Sequence, residues 1–345
     1  MMFAKSTLTS GYILHILIPE LFPYHTLATP ALRLDSLEKL LSRAYLEDWT
    51  HPGWMASLFA LFELPVNQPL PIAPLTRLGD VNDSGHHIWL RADPVHLQAY
   101  RDQVLLFDTR SGFTLTLAEA QTLINEINPL YEAMGLQFSA PTPTRWYVTL
   151  PQFPQLTTCP LPEVIGKNIQ PYLPSGQDKT DWWKILNEIQ MSLHQSPVNI
   201  EREARGELSI NSVWFWGLGQ LPTAPSSVRW SHVWTDEALT RGLARLAQVP
   251  YSAVPANGEE WLAHLIPGEH LLTLFSPQDN IAQWATWLTK LETKWFAPLF
   301  EAIKRRQFDA IILYPGQAQA FILTPAHARH YWWRRQRHWQ SFISN

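Results

Sequence analysis

The chain of 345 residues carries a single cysteine, Cys159. One thiol excludes an internal disulfide framework and fits a reducing compartment. Charge is also scarce: Asp, Glu, Lys and Arg make up 16% of the chain and leave a net −4. That balance excludes a general polyanion binder, so nucleic acid is not an expected partner. No window reaches the length of apolar sequence that a membrane-spanning helix needs. The apolar run at 11–19 is too short to span a bilayer, and no small-residue cleavage site follows it. The expectation is a cytoplasmic protein with no membrane partner.

Several chemical signatures are missing as well. Ser192-Leu193-His194 lies in no G-x-S-x-G elbow. Gly217-Leu218-Gly219 lacks the third glycine and later acid of a dinucleotide fingerprint, and no Walker sequence occurs. The 13 histidines show no tight metal-ligand spacing. His86 and His87 are adjacent and would point to opposite faces of a strand. His327 and His330 have no carboxylates nearby in sequence.

What the chain has instead is 46% apolar residues, 28 prolines and 17 tryptophans. A substantial core can be buried, with many indole N–H groups needing acceptors. Periodicity gives strands at 12–19, 87–91, 104–108 and 145–150, and helices at 34–44, 54–64 and 117–134. Residues 70–78 read as a proline-broken loop, and 151–178 as a long connection. Beyond Asp181 helix and strand alternate: strands at 231–234, 271–275, 310–314 and 320–323, helices at 236–246 and 284–303, the last kinked or divided at Pro298. The alternation argues for α/β with a mainly parallel sheet.

The most informative stretch runs from Asp181 to Gly219. A helix with Asn187, Met191 and His194 on one face is followed by a strand, Asn211-Ser212-Val213-Trp214-Phe215-Trp216, that ends in Gly217 and Gly219. In a parallel sheet such an end opens on the ligand crevice. Arg91 and Arg145 are the anion-binding candidates, since a guanidinium fork suits phosphate or carboxylate. Asp93 and His96 either orient Arg91 or cap a helix starting at Pro94. The tail mixes Arg334, Arg335 and Arg337 with Tyr331, Trp332, Trp333 and Trp339 and reads as an element docking its tryptophans on the core.

Leu186-Asn187-Glu188, Pro197-Val198-Asn199, Arg202, Gly206 and the 211–219 segment resemble the archaeal-type cofactor-independent phosphoglycerate mutases. The segments 89–97 and 145–147 resemble a narrower group, the RpfE-type regulatory proteins of proteobacteria, and Glu163-Val164-Ile165-Gly166-Lys167 resembles the Gly-Lys segment of the mutases' inserted domain. The resemblance implies an alkaline-phosphatase-like α/β core, residues 1–85 and 179–345, with helices on both faces of its sheet. Residues 86–178 would form an inserted, smaller α+β lobe. Strand 12–19 would then share a sheet with 213–216.

Enzymes of that superfamily hold two divalent metal ions through Asp and His at three strand ends. Here those places read Ile18-Pro19-Glu20-Leu21, Ser276-Pro277-Gln278-Asp279-Asn280 and Tyr314-Pro315-Gly316-Gln317. Without ligands there is no clamp on the attacking and leaving oxygens. The expectation is therefore a mutase-like regulatory protein with no catalytic residues, no metal and no cofactor, which binds an anionic small molecule or a protein partner. One alternative is an active metal-dependent mutase or phosphatase with two Mn or Mg ions on rearranged ligands, Glu20, Asp236 and Asp279 among them. Another is an interaction scaffold whose cleft is filled. The binding residues expected are Arg91, Arg145, Asn187, His194, Asn211, Trp214, Trp216, Gly217 and Gly219, with Asn211, Trp216 and Arg91 lining one pocket between the lobes.

Overall fold

The computed structural model describes residues 11–19, 21–22, 32–51, 53–66, 69–83, 85–109, 113–276, 281–330 and 335–343. Glu20, the 277–280 segment and 331–334 lie outside the described residues. In chain order the strands are β1 (Tyr12–Leu17), β2 (Tyr45–Asp48), β3 (Ile88–Tyr100), β4 (Gln103–Phe107), β5 (Gln137–Thr142), β6 (Arg145–Leu150), β7 (Leu156–Thr157), β8 (Ser175–Gly176), β9 (Ser212–Gly219), β10 (Trp230–Trp234), β11 (Tyr251–Ser252), β12 (Gly268–Thr273), β13 (Ala310–Tyr314) and β14 (Gln319–Leu323). The helices are α1 (Asp35–Arg43), α2 (Trp54–Leu61), α3 (Ile72–Val81), α4 (Leu117–Tyr131), α5 (Lys179–His194), α6 (Pro197–Ala204), α7 (Ala238–Leu246), α8 (Gly258–Ala263), α9 (Ile281–Leu291), α10 (Ala297–Lys304) and α11 (Pro325–His330). Two compact units result, one from 1–66 with 224–345 and one from 67–223.

The larger unit is built on a seven-stranded sheet in the order β11-β10-β12-β1-β13-β14-β2. The pairs from β11 to β13 are parallel; β14 and β2 continue the sheet antiparallel. This is the expected α/β class, and its short apolar runs are the buried strands of a parallel sheet. One face, with Leu14, Ile16, Leu272 and Ile311, joins α1, α9, α10 and Trp339 in one core. Trp339 is fully buried, stacked at 6.5 Å on Phe22, so the tail does dock. The helix expected over 284–303 is divided by a π-helical turn, Glu292–Phe296. Pro298 falls in the first turn of α10, where its missing N–H is tolerated. The Glu292 carboxylate at this break accepts from the free N–H groups of Ser36 at 2.6 Å and Leu37 at 3.1 Å. It satisfies orphan donors at the start of α1 from across the chain.

The smaller unit holds an antiparallel sheet in the order β4-β3-β6-β5, with β9 paired to β3. The long β3 runs from Ile88 to Tyr100, through Pro94, so no helix starts there. Pro94 is accommodated because β6 pairs with β3 only up to Arg91 and β4 only from His96. Residues between have β9 alone as ladder partner, leaving one side free of backbone bonds. One sheet face packs under α4 and α5 around Ile127, Tyr131, Ile189 and Phe215. Truncating one of these to alanine would cost about 2–5 kcal/mol. The other face carries Trp89 and Tyr147, with Ala73 of α3 against them.

Two expectations are corrected by this arrangement. The segment 213–216 lies in the smaller antiparallel sheet and shares no sheet with β1. A strand covered on both faces reads as one apolar run whether its sheet is parallel or antiparallel. The segment 70–78 is not a loop but most of α3. Pro71 caps that helix and Pro74 sits in its first turn, positions at which proline opens a helix instead of breaking it.

Candidate functional site

The strand ends of the larger unit come first, because two metal ions would have to be held there. At the ends of β10 and β12, Thr273 Oγ donates to Thr235 Oγ at 2.6 Å, and both residues are buried. Leu274 and Phe275 follow β12; Phe275 packs edge-on against Trp54 at 5.0 Å. At the end of β13 the Tyr314 hydroxyl is engaged by His15 at 3.0 Å and Pro315 follows. Asp236 is exposed and accepts from the Val254 N–H at 3.3 Å. Among the described residues no three His, Cys, Asp or Glu side chains gather as a metal would require. The described residues at these ends present hydroxyls and one exposed carboxylate, Asp236. Glu20 and Asp279, the other rearranged ligands considered, lie outside the described residues.

Behind these ends a polar chain crosses the sheet face. His15 on β1 is 2% exposed, with Nδ1 at 3.0 Å from Tyr314 Oη and Nε2 at 3.1 Å from Glu269 Oε2. Trp230 meets the imidazole edge at 4.8 Å. Burial holds the His15 pKa below its ordinary value, against the opposing bond from Glu269. Burial also pushes the Tyr314 phenol up.

The charged side chains of the smaller unit collect on the sheet face beside α3. Arg91 grips Asp93 with two bonds, Nε to Oδ1 at 2.9 Å and Nη2 to Oδ2 at 2.7 Å. Trp216 Nε1 donates to the same carboxylate at 2.7 Å, and the Trp146 backbone N–H at 3.2 Å. Asp93 thus fills the gap in the ladder left beside Pro94. Arg145 grips Asp80 of α3 in the same way, at 2.8 and 2.7 Å, and Tyr147 Oη adds a third bond at 2.7 Å. Burial alone would raise the Asp80 carboxyl; the bonds from Arg145 and Tyr147 outweigh it and hold the group below the usual carboxylate range. A third arginine, Arg77 of α3, lies over the Trp89 ring at 4.1 Å and 5.7 Å from Tyr147. Its Nη1 donates to Ser139 Oγ at 3.1 Å.

The expected binding residues fall into three groups. Arg91, Arg145 and Trp216 do come together, but both arginines are occupied by carboxylates of the chain itself. Asn211 faces elsewhere: its side-chain amide exchanges two bonds with the backbone of Leu97, at 2.7 and 2.9 Å. Five strand residues, about 16 Å, separate it from Trp216, and all three residues of the expected pocket belong to the smaller unit. Trp214 is buried, its indole donating to the Cys159 carbonyl at 2.9 Å. Gly217 and Gly219 admit the chain, not a ligand. A Cβ on Gly217, at φ +70°, would meet Ile72 at 3.0 Å, and one on Gly219 would meet Pro71 at 2.4 Å. Asn187 and His194 lie on the exposed side of α5. Burial, with Glu163 beside it, pushes the Cys159 thiol up to about 11.

Sequence reasoning missed Arg77 and Asp80 because α3 was read as a loop. The signal was present: Arg77 and Asp80 are spaced three apart, which on a helix puts them on one face.

No family model matches the chain. The 2,3-bisphosphoglycerate-independent phosphoglycerate mutase of Methanosarcina barkeri is 34% identical over 67 residues, 19% of this chain and 17% of that protein. A probable 2,3-bisphosphoglycerate-independent phosphoglycerate mutase of Geobacter sulfurreducens is 26% identical over 137 residues, 39% of this chain and 34% of that protein. The chain thus matches about a third or less of the length of these curated relatives. The similarity is weak homology to cofactor-independent phosphoglycerate mutases. The solved structure of the PH0037 protein from Pyrococcus horikoshii superposes with a TM-score of 0.56 at 13% identity, over 92% of this chain and 88% of that one. It shares the α/β fold. The cofactor-independent phosphoglycerate mutase from Thermoplasma acidophilum superposes with a TM-score of 0.47 at 18% identity, over 92% and 90%. No helix among the described residues is long and apolar enough to cross a membrane.

Proposed function

We propose that this chain is a phosphoglycerate-mutase-like protein of the regulatory, RpfE type, which binds an anionic small molecule and does not run two-metal chemistry. The observation that carries the reading is the Thr235–Thr273 hydroxyl pair at the ends of β10 and β12. Phosphoryl transfer between two metals needs anionic or imidazole donors at such ends to clamp the attacking and leaving oxygens. Here two hydroxyls bond each other, and the tyrosine ending β13 bonds a histidine. The weak homology supports a phosphorylated acid as the ligand class, and an arginine-rich face supplies cations for it. A cytoplasmic location belongs to the same reading.

Metal analysis and enzyme assay test this together. Purified protein loaded with manganese should retain no stoichiometric metal after desalting. It should not interconvert 2- and 3-phosphoglycerate, yet should melt higher in the presence of 3-phosphoglycerate. Two retained divalent ions with manganese-dependent mutase turnover would overturn the proposal in favour of an active enzyme.

A further inference from the structure

A cleft of about 340 Å³ opens on the smaller unit where α3, α4 and β5 meet, lined among others by Arg77, Gln121, Asn125, Asn128 and Ser139. Among the described residues that line it, Arg77 is the one cation. The neighbouring arginines define what such a side chain does when satisfied: Arg91 and Arg145 each apply the Nε and Nη2 edge to an aspartate. Arg77 uses only Nη1, on Ser139. Its Nε is buried and has no acceptor among the described residues. A buried donor left unmade costs about 1–3 kcal/mol, more when it carries charge.

The surroundings keep that guanidinium in place and leave its charge unmatched. Trp89 backs its plane at 4.1 Å, and Ser139 fixes one nitrogen. Stacking of this kind holds a cation without neutralising it. Asp80 already accepts from Arg145 and Tyr147, and Asp83 accepts from the Gly85 N–H; both act on Arg77 only across space. Across the cluster three guanidiniums, Arg77, Arg91 and Arg145, face the carboxylates Asp80 and Asp93, with Asp83 acting on Arg77 across space. The polar wall opposite is α4, with Gln121 and Asn125 exposed on it. Asn128 is committed to the backbone of Phe138 at 2.7 and 3.1 Å.

We propose that this cleft binds a small oxyanion, a phosphate or carboxylate group, on Arg77, with Asn125 and Gln121 meeting hydroxyls of the molecule that carries it. This rests on the anion-binding reading above and gives it a place that does not include Arg91 or Arg145. Oxygen acceptors in the cleft would meet the Arg77 guanidinium through charge-assisted bonds of the kind that Asp93 and Asp80 make beside it. The amide side chains can both donate to and accept from hydroxyls.

Calorimetric titration with inorganic phosphate, glycerate and 3-phosphoglycerate at low salt tests it. Arg77→Gln should weaken every ligand that binds by about ten- to a hundredfold, the loss of a charge-assisted contact. Asn125→Asp, a surface change that leaves Arg77 untouched, should weaken them several-fold by placing a like charge in the cleft. It keeps the test decisive if Arg77→Gln fails to fold. Asn125→Ala should weaken glycerate and 3-phosphoglycerate but not inorganic phosphate. Preference for inorganic phosphate over glycerate identifies a phosphate subsite, and the reverse a carboxylate one. Wild-type affinity in both Arg77→Gln and Asn125→Asp overturns the Arg77 site while leaving anion binding elsewhere intact. Failure of all three ligands to bind the wild-type protein overturns the site and the anion-binding reading together.

Discussion

Each unit buries ionisable side chains against a sheet, and each solves the problem differently. In the smaller unit charge is met by charge: Arg91 and Asp93, both at most 5% exposed, form a two-bond pair, and Arg145 and Asp80 repeat it at the edge. In the larger unit the buried ionisable groups include His270, Glu38 and His15, the last kept below its ordinary pKa by burial and hydrogen-bonded to Tyr314 on one side and Glu269 on the other. A pair of full charges stays buried only if every lone pair and N–H is used. A neutral imidazole needs only two partners and can be left with a tyrosine. The difference teaches where anion chemistry can reside. A face built on paired charges carries Arg77 beyond its two pairs, whereas the cation beside the His15 chain, Arg229, lies 4.0 Å from the Glu269 carboxylate and 3.6 Å from that of Glu63.

The largest effect should come from breaking the most buried pair. Asp93→Ala leaves the Arg91 guanidinium buried without a counter-charge and strips the acceptor from Trp216 and the Trp146 N–H. Burial pushes the Asp93 carboxyl up even with these partners present, so the group depends on all of them. The expected loss is about 3–5 kcal/mol in urea unfolding followed by the tryptophan signal. Arg91→Met combined with Asp93→Leu should recover most of it, since an apolar pair replaces an ionic one at little net loss. A loss below about 1 kcal/mol for Asp93→Ala would erase the distinction between the two units.

Asp80→Asn should do less. Arg145 is 29% exposed on its side chain and can turn to water when its partner is neutralised. The Tyr147 hydroxyl keeps an oxygen acceptor in the amide. A loss of about 1–2 kcal/mol is expected by the same measurement. An effect equal to that of Asp93→Ala would show that the edge pair, not the central one, anchors α3 to the sheet.

How far the sequence carried this picture depends on the residue. Five of the seven strands of the larger sheet were legible because short apolar runs between turn residues have few other uses, whereas the largely exposed β2 and the two-residue β11 were not. The docking of Trp339 was legible from an aromatic run in an acidic chain. The pairing of β9 was not: Val213 to Trp216 are apolar throughout, and nothing local distinguishes a parallel neighbour from β3. Asp93 was legible as a group orienting Arg91, but the partner of Arg145 was not, because Asp80 lies on a different element and sequence spacing gives no hint of it. Arg91 with Asp93 two residues on was the readable pair, since alternate residues of a strand share a face. Asn211 looked like a ligand group and is a clamp on Leu97, a contact 114 residues away in the chain.

The smallest effect belongs to the neutral chain of the larger unit. Because burial lowers the folded-state pKa of His15, the unfolded chain takes up its proton first as pH falls. The contribution of this group is complete above the unfolded value of about 6.5 and declines as pH drops below it. It declines by at most about 1.4 kcal/mol per pH unit and levels off once the folded-state pKa is passed. His232 and His270 are lowered by burial too and act in the same direction. Glu269, which burial would raise but the His15 bond holds down, adds its loss only at more acidic pH, in the carboxylate range. Melting curves of the wild-type protein should therefore fall between pH 7.5 and 5.5; Asp80, held below the usual carboxylate range, adds nothing there, and Asp93, pushed up by burial, acts in the opposite direction as pH falls. His15→Gln keeps two polar contacts and cannot titrate, so its melting temperature should fall less steeply over the same range. A slope identical to wild type would mean that His232 and His270 carry the whole response and that the His15 chain is silent.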